Sequence, residues 1–225
     1  MGWTIEVQGT PGCVASCKTA QTNEIGDDEV PVMSAIESAF CGSAPWESFA
    51  RRAVLPWALD GHQLTGDVLE IGAGGGAMAD GVARMFPTAC LTVTDVDDAM
   101  VSAARARLVN HQSVAVERAD VTALGFDDAS FDTVTTYLML HHVIAWQDAL
   151  AEAVRVLRPG GTFIGYDLTD TRVARLVHRA DGSPHRIIAM AEMRDGLAAA
   201  GFADVTVRSS ALSHLMHFRA VKPAT

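Results

Sequence analysis

Glu70 stands two residues ahead of a glycine run, Gly72-Ala73-Gly74-Gly75-Gly76, and two further carboxylates, Asp95 and Asp120, close later apolar stretches. An acid just before glycines suits a ligand that carries positive charge. Glycines let backbone approach that ligand without a Cβ in the way. Asp95 lies roughly 20 residues further on, where a carboxylate can accept two ribose hydroxyls. Asp120, in Ala119-Asp120-Val121, fits acceptance from an adenine amino group. Each feature alone is a weak signal. Their order along the chain, each at the end of a strand-like run, points to a nucleoside-type cofactor.

The histidines are the candidates for moving a proton. His141-His142 follows an apolar run, and His178 and His185 fall in the polar segment Asp170–Ile188, which reads as a loop or lid. One of the adjacent pair reads as a packing residue beneath the cofactor loop. Within the pair His142 is favoured over His141 as general base, and the order of candidates is His142, then His178, then His185, because a histidine near neutral pKa suits that task. Trp46 and Trp57 read as helix-packing residues. Cys13 and Cys17 are close in sequence, but no second pair or nearby histidine completes a zinc site, so no metal is expected.

The elements that must hold these residues alternate in type. A flexible arm is expected over 1–28 and a helical cap over 29–60, broken into two helices near Cys41-Gly42-Ser43-Ala44-Pro45. Trp46, Phe49, Val54, Leu55, Trp57 and Ala58 give the cap its apolar face. The core spans 66–225, and with the cap forms one domain. Strands are expected at Val68–Ile71, Leu91–Thr94, Ser113–Arg118, Phe131–Met139, Thr162–Tyr166, Val205–Arg208 and Leu215–Val221. Between them lie helices with inward residues Met78, Val82 and Met85; Met100, Val101, Ala104 and Leu108 behind an N-cap at Asp97; Trp146, Leu150, Ala153, Val154 and Leu157; and Met190, Met193, Leu197 and Ala200. Pro159-Gly160-Gly161 is read as the stop of the third of these and Gly201 of the last. Such alternation implies an α/β fold, a mainly parallel sheet with helices on both faces.

Bulk properties narrow the function. The 225 residues carry a formal net charge of −10 and are 49% hydrophobic, enough for one substantial core. No basic face for a phosphate backbone is visible, which argues against nucleic acid. No apolar run approaches a membrane span and no signal peptide is visible. Four cysteines (Cys13, Cys17, Cys41, Cys90) do not form a disulfide scaffold, so reduced thiols and a cytoplasmic setting are expected. Nothing opposes a homodimer.

At these motifs the chain resembles the class I S-adenosylmethionine-dependent methyltransferases, and more narrowly their ubiquinone/menaquinone methyltransferase-like, small-molecule subgroup. The matching segments are Val68 to Gly76, Thr94-Asp95-Val96-Asp97, Ala119-Asp120-Val121, Phe126 to Asp132, Leu140-His141-His142 and Leu157-Arg158-Pro159-Gly160-Gly161. They cover about residues 66–170. The resemblance implies a Rossmann-like seven-stranded sheet with the last strand antiparallel, S-adenosyl-L-methionine as donor and S-adenosyl-L-homocysteine as product. It implies that Gly72, Ala73 and Gly74 pass under the methionine portion and that Glu70 supports the loop and the amino end. Asp95 would take the ribose, Val96 pack on adenine, and Asp120 with Val121 hold the adenine edge. Tyr137 falls where the family lines the methionyl portion and replaces a residue that is often small or an amide. Asp97 stands where Ser or Thr usually begins the helix.

The glycine spacing also satisfies G-x-G-x-x-G/A of dinucleotide sites. Glu70, Asp120 and the Leu157–Gly161 motif favour the methyl donor. The expected activity is therefore in-line methyl transfer to an O, N, C or S atom of a small molecule. The alternatives are a methyltransferase acting on a macromolecule and a domain that binds the cofactor without turnover.

Overall fold

The computed structural model describes residues 50–171, 186–210 and 214–225. A π-helical turn, Ala50–Val54, runs into helix α1, Leu55–Leu59, where Pro56 sits in the first turn and needs no amide partner. The remaining cap and the arm lie outside the described residues, as does the expected break near Pro45.

Seven strands follow: β1 Asp67–Ile71, β2 Cys90–Asp95, β3 Val114–Arg118, β4 Phe131–Tyr137, β5 Leu157–Leu168, β6 Ala203–Ser209 and β7 Leu215–Val221. The helices between them are α2 Ala77–Met85, α3 Asp98–Leu108, α4 Trp146–Val156 and α5 Met190–Ala199. The sheet order is β3-β2-β1-β4-β5-β7-β6. All pairings are parallel except those of β7, which runs antiparallel to both β5 and β6. The chain therefore leaves β1 toward β2 on one side and returns to β4 on the other. That reversal opens a crevice at the carboxyl ends of β1 and β4, where ligands bind in doubly wound sheets.

Each face of the sheet buries its own apolar layer. Val68, Leu91, Val93 and Ile164 pack against α1, α2 and α3, while Leu69, Ile71, Val134, Phe163 and Phe218 pack against α4 and α5. Alternating residues of β1 thus serve both layers, as a central parallel strand requires. Trp146, fully buried at the start of α4, lies so close to Gly196 of α5 that a Cβ there would strike its ring.

The structure differs from the sequence reading at four places. Met85 is 42% exposed, because the last turn of α2 has passed beyond the core. The third expected helix stops at Val156, and Leu157 through Gly161 already belong to β5. β4 ends at Tyr137 rather than Met139, since Leu138 adopts a left-handed φ of 56° that no strand continues. Cys90 is disulfide-bonded, which corrects the expectation of a reduced thiol at that position.

Candidate active site

β1 delivers Glu70 to the crevice. Its side chain is 1% exposed and neither carboxylate oxygen has a hydrogen-bond partner. Burial pushes its pKa up to about 8. A buried carboxyl without a partner is costly, and a cationic group beside it would relieve the cost. Tyr137 lies close to it, and its own pKa is raised well above the usual value, by burial first and by the Glu70 charge second.

The loop after β1 is built on left-handed glycines, with φ of 63° at Gly72, 53° at Gly74 and 77° at Gly76. The three serve different ends. A Cβ on Gly72 would overlap the Met139 side chain, and one on Gly76 would press on Ala104 and Leu108 of α3. A Cβ on Gly74 would meet nothing within 4 Å, so this backbone faces open space. Ala73 holds the loop to the sheet by donating from its amide to the Thr94 carbonyl at 2.9 Å.

Asp95, at the end of β2, reaches across to the same loop. One oxygen accepts from the Gly74 amide at 2.7 Å and the other from the Asp97 amide at 3.0 Å. Burial raises its pKa against the lowering effect of those two bonds. Asp97 caps α3 by accepting from the Ala99 amide at 2.7 Å, so an aspartate does here what serine or threonine does elsewhere. Val96 is half-buried beside them, its carbonyl held by Arg118 at 3.0 Å. Asp120 follows β3, and one of its oxygens accepts from the Thr122 amide and hydroxyl at 2.8 and 2.7 Å. Val121 is half-buried against the α4 and α5 layer. Glu70, Gly72, Ala73, Gly74, Asp95, Val96, Asp120, Val121 and Tyr137 thus all lie at or just beyond the carboxyl ends of neighbouring strands β1 to β4.

On the α1 side, the register pairs Tyr137 with Tyr166 and Tyr166 with His217. Tyr137 and Tyr166 have ring centroids 5.9 Å apart. Trp57 of α1 meets Tyr166 at 5.7 Å and His217 at 5.9 Å, both edge-on. His217 is held by the Ala58 backbone, its Nε2 has no partner, and burial lowers its pKa. Tyr137 and Trp57 were singled out in sequence but Tyr166 and His217 were not, because the row is spread over three strands and one helix.

On the other face, His141 and His142 form a short 3-10 turn, Leu140–His142. His141 is 2% exposed, and its Nδ1 lies 2.5 Å from Asp167 Oδ1. The His142 ring, half-buried, lies 4.0 Å from the His141 ring. His178 and His185 lie outside the described residues. So do Cys13, Cys17 and Cys41. Among the described residues, no group of three or more His, Cys, Asp or Glu side chains is arranged to hold a metal ion.

The Leu157–Gly161 and Phe126–Asp132 motifs are remote from this crevice. Arg158 bridges Asp67 and Asp132 at 2.8 and 2.7 Å, at the amino ends of β1 and β4. Arg155 donates to the Leu124 and Phe126 carbonyls and pairs with Glu152 and Asp128, pinning the loop before β4.

A doubly wound sheet of this order, with an unpartnered buried acid, a glycine loop open at Gly74 and a carboxylate ending β2, is the frame of a nucleoside-dependent transferase. The Methyltransferase domain family profile matches residues 69–165. The demethylmenaquinone methyltransferase of Clavibacter sepedonicus is 31% identical over 204 residues, 80% of each chain. A ubiquinone/menaquinone biosynthesis C-methyltransferase of Cupriavidus taiwanensis is 35% identical over 120 residues, covering 52% of this chain and 46% of that protein. The chain thus spans under half of this second relative. Among solved structures, a SAM-dependent methyltransferase from Aquifex aeolicus superposes with a TM-score of 0.67 at 18% identity, covering 83% of this chain and 97% of that one. The Haemonchus contortus phosphoethanolamine N-methyltransferase 2, in complex with S-adenosyl-L-methionine, gives 0.63 at 15% identity, covering 81% and 61%. The chain belongs to the class I methyltransferase family, of the quinone methyltransferase-like kind. It is a methyltransferase that uses S-adenosylmethionine.

Proposed function

We propose that the enzyme methylates a small, planar aromatic acceptor bearing a hydroxyl, at a ring carbon or oxygen, in the crevice over the carboxyl ends of β4 and β5, between the row of rings on the α1 side and His142 on the other. The observation that carries this is the row Tyr137, Tyr166 and His217 closed by Trp57. Its flat faces suit an aromatic ring, and the unpartnered His217 Nε2 suits a hydroxyl. The relatives named as quinone-pathway methyltransferases support an acceptor of this class. A formal net charge of −10 speaks against nucleic acid. Among the described residues no helix is long and apolar enough to cross a membrane. A cytoplasmic setting belongs to the same proposal, but the disulfide at Cys90 removes the reduced-thiol argument for it.

In this reading Glu70 holds the donor's ammonium end, with Tyr137 beside it. Gly74 gives its backbone to the methionyl portion. Asp95 takes the ribose, and Val96, Asp120 and Val121 enclose the adenine. When bound, S-adenosylmethionine supplies a methyl on a sulfonium whose leaving group is a neutral thioether. The protein's part is to hold acceptor and methyl in line and exclude water. His142 takes the acceptor proton as the new bond to the methyl forms, with His178 as the alternative from the segment after β5. The row of rings sets the acceptor's plane.

The test is product formation from S-adenosylmethionine labelled in the methyl group, with naphthalene-1,4-diol, simple phenols, amines and thiols as acceptors. Label transfer to the diol or the phenols supports the proposal. Transfer only to amines or thiols sinks the acceptor class, and transfer to none of them returns the cofactor-binding alternative. His142→Ala is expected to retain donor affinity and to lose about a hundredfold or more in turnover.

A further inference from the structure

We infer that Asp167 and His141 are positioning residues for His142, a pair built into the ends of β5 and β4 that sets how the second imidazole meets the acceptor. This rests on the reading that gives His142 a proton to take. Asp167 is 1% exposed, the last residue but one of β5. Its carboxylate accepts three times: from the His141 amide at 3.1 Å, from the His141 ring at 2.5 Å and from the Leu168 amide at 2.6 Å. Both backbone and ring of one histidine are therefore gripped by one side chain.

A carboxylate that accepts from Nδ1 holds the proton on that nitrogen. It also fixes the plane of the ring. The His142 ring lies against that plane, 4.0 Å between centroids and tilted by 42°. The carbonyl of His141 is engaged as well, accepting from the Arg186 amide at 2.7 Å, where the chain returns toward α5. Immediately after β4, the backbone also carries the left-handed Leu138, φ 56°, whose amide donates to the Tyr166 carbonyl. Strain of this kind persists only where the surroundings enforce it. The Tyr166 carbonyl holds Leu138 in place, and three residues further on Asp167 grips His141 directly. Packing alone needs no ionisable pair at this depth, since a buried carboxylate is retained only where its bonds are complete.

Two variants separate positioning from bulk stability. Asp167→Asn replaces a group that accepts three times with an amide that must present its NH2 to one of those donors. It is expected to move the His141 proton to Nε2. His141→Asn keeps a donor near the place of Nδ1 and removes the ring that His142 rests on. The sample is the full chain, labelled with nitrogen-15 and saturated with S-adenosylhomocysteine, and long-range proton–nitrogen spectra report the imidazole tautomers. Turnover is measured with whichever acceptor of the panel takes label.

The expected result has four parts: an Nδ1-protonated His141 in the wild type, its switch in Asp167→Asn, S-adenosylhomocysteine affinity within about threefold, and a kcat lowered about tenfold or more with donor KM unchanged. In a His142→Ala background His141→Asn should then cost nothing further, since coupled residues are non-additive. An Nε2-protonated His141 in the wild type overturns the inference. So does a full additional loss in the double variant. If the wild type turns over no acceptor, the functional reading fails, and the tautomer spectra still decide whether Asp167 governs the pair.

Discussion

Met139 occupies the space into which a side chain on Gly72 would project, while two residues further on the backbone of Gly74 faces nothing at all. The two glycines share a left-handed backbone and differ in what their missing Cβ protects. At Gly72 it protects the fold, because Met139 packs there with the α4 layer. At Gly74 it protects the cleft. Gly72→Ala should therefore lower stability through both overlap and strain, by about 2–3 kcal/mol. Gly74→Ala should cost only the strain, about 1 kcal/mol, yet reduce S-adenosylmethionine affinity the more. Thermal melts and calorimetric titration of the two proteins side by side check this. Equal donor affinities would mean that Gly74 does not face the cofactor.

Asp95 is expected to act twice. Its oxygens hold the Gly74 and Asp97 amides, and in the proposed complex they also meet the ribose. Asp95→Ala should weaken S-adenosylmethionine binding by about 2–3 kcal/mol, the worth of hydrogen bonds to a charged group in a buried site. Asp95→Asn, which keeps one acceptor, should fall between. An alanine variant with wild-type affinity by calorimetry would remove Asp95 from the ribose.

Glu70 makes stability depend on pH in the direction opposite to an ion-paired carboxylate. Its folded pKa, about 8, lies above the ordinary 4.5. Below pH 4.5 both states are protonated and the group contributes nothing. From there to about pH 8 the folded chain keeps a proton that the unfolded chain gives up. Stability of the ligand-free protein therefore falls as pH rises through that window, by up to about 1.4 kcal/mol per unit from this group. Glu70→Gln should flatten the fall between pH 6 and 8, measured by urea melts at each pH, and should weaken donor binding. Parallel pH profiles for the two proteins would mean that Glu70 does not carry the proton.

Arg155 is a stability residue in a family motif region. It satisfies two backbone carbonyls and pairs with Glu152 and Asp128. Burial is outweighed by the Glu152 hydrogen bond, and the guanidinium pKa is raised. Arg155→Met should destabilise by about 2–3 kcal/mol by leaving the Leu124 and Phe126 carbonyls without donors, with little change in donor affinity for the protein that remains folded. A loss under about 0.5 kcal/mol in denaturant melts would show that solvent replaces the arginine there.

That the glycine loop and the strand-end carboxylates are neighbours was legible because their signals are local. Val68–Ile71 is a short apolar run, Gly72–Gly76 follows it directly, and Asp95 and Asp120 each close a strand, so the sheet alone brings them together. The seven strands were readable for the same reason, their boundaries shifting by a residue or two, as where Leu138 turns left-handed, except that β5 starts at Leu157, well ahead of the expected Thr162. The acceptor side was not legible. His141 and Asp167 are 26 residues apart, and Asp167 lies in an apolar run that gives no hint of a carboxylate facing inward. Tyr137, Tyr166 and His217 become neighbours only through strand register. The disulfide at Cys90 is likewise a matter of three-dimensional approach.

The bridge from Arg158 to Asp67 and Asp132 acts on chemistry that it never touches. Asp67 begins β1 and Glu70 lies three residues along it, while Asp132 lies in β4 below Tyr137. Side chains alternate between faces with every residue, so a slip of one position would turn Glu70 away from the cleft and bring Leu69 into its place. The arginine therefore works as an index mark. It sets the zero from which both strands are counted, and the alignment of acid, tyrosine and glycine loop at the far end inherits that count.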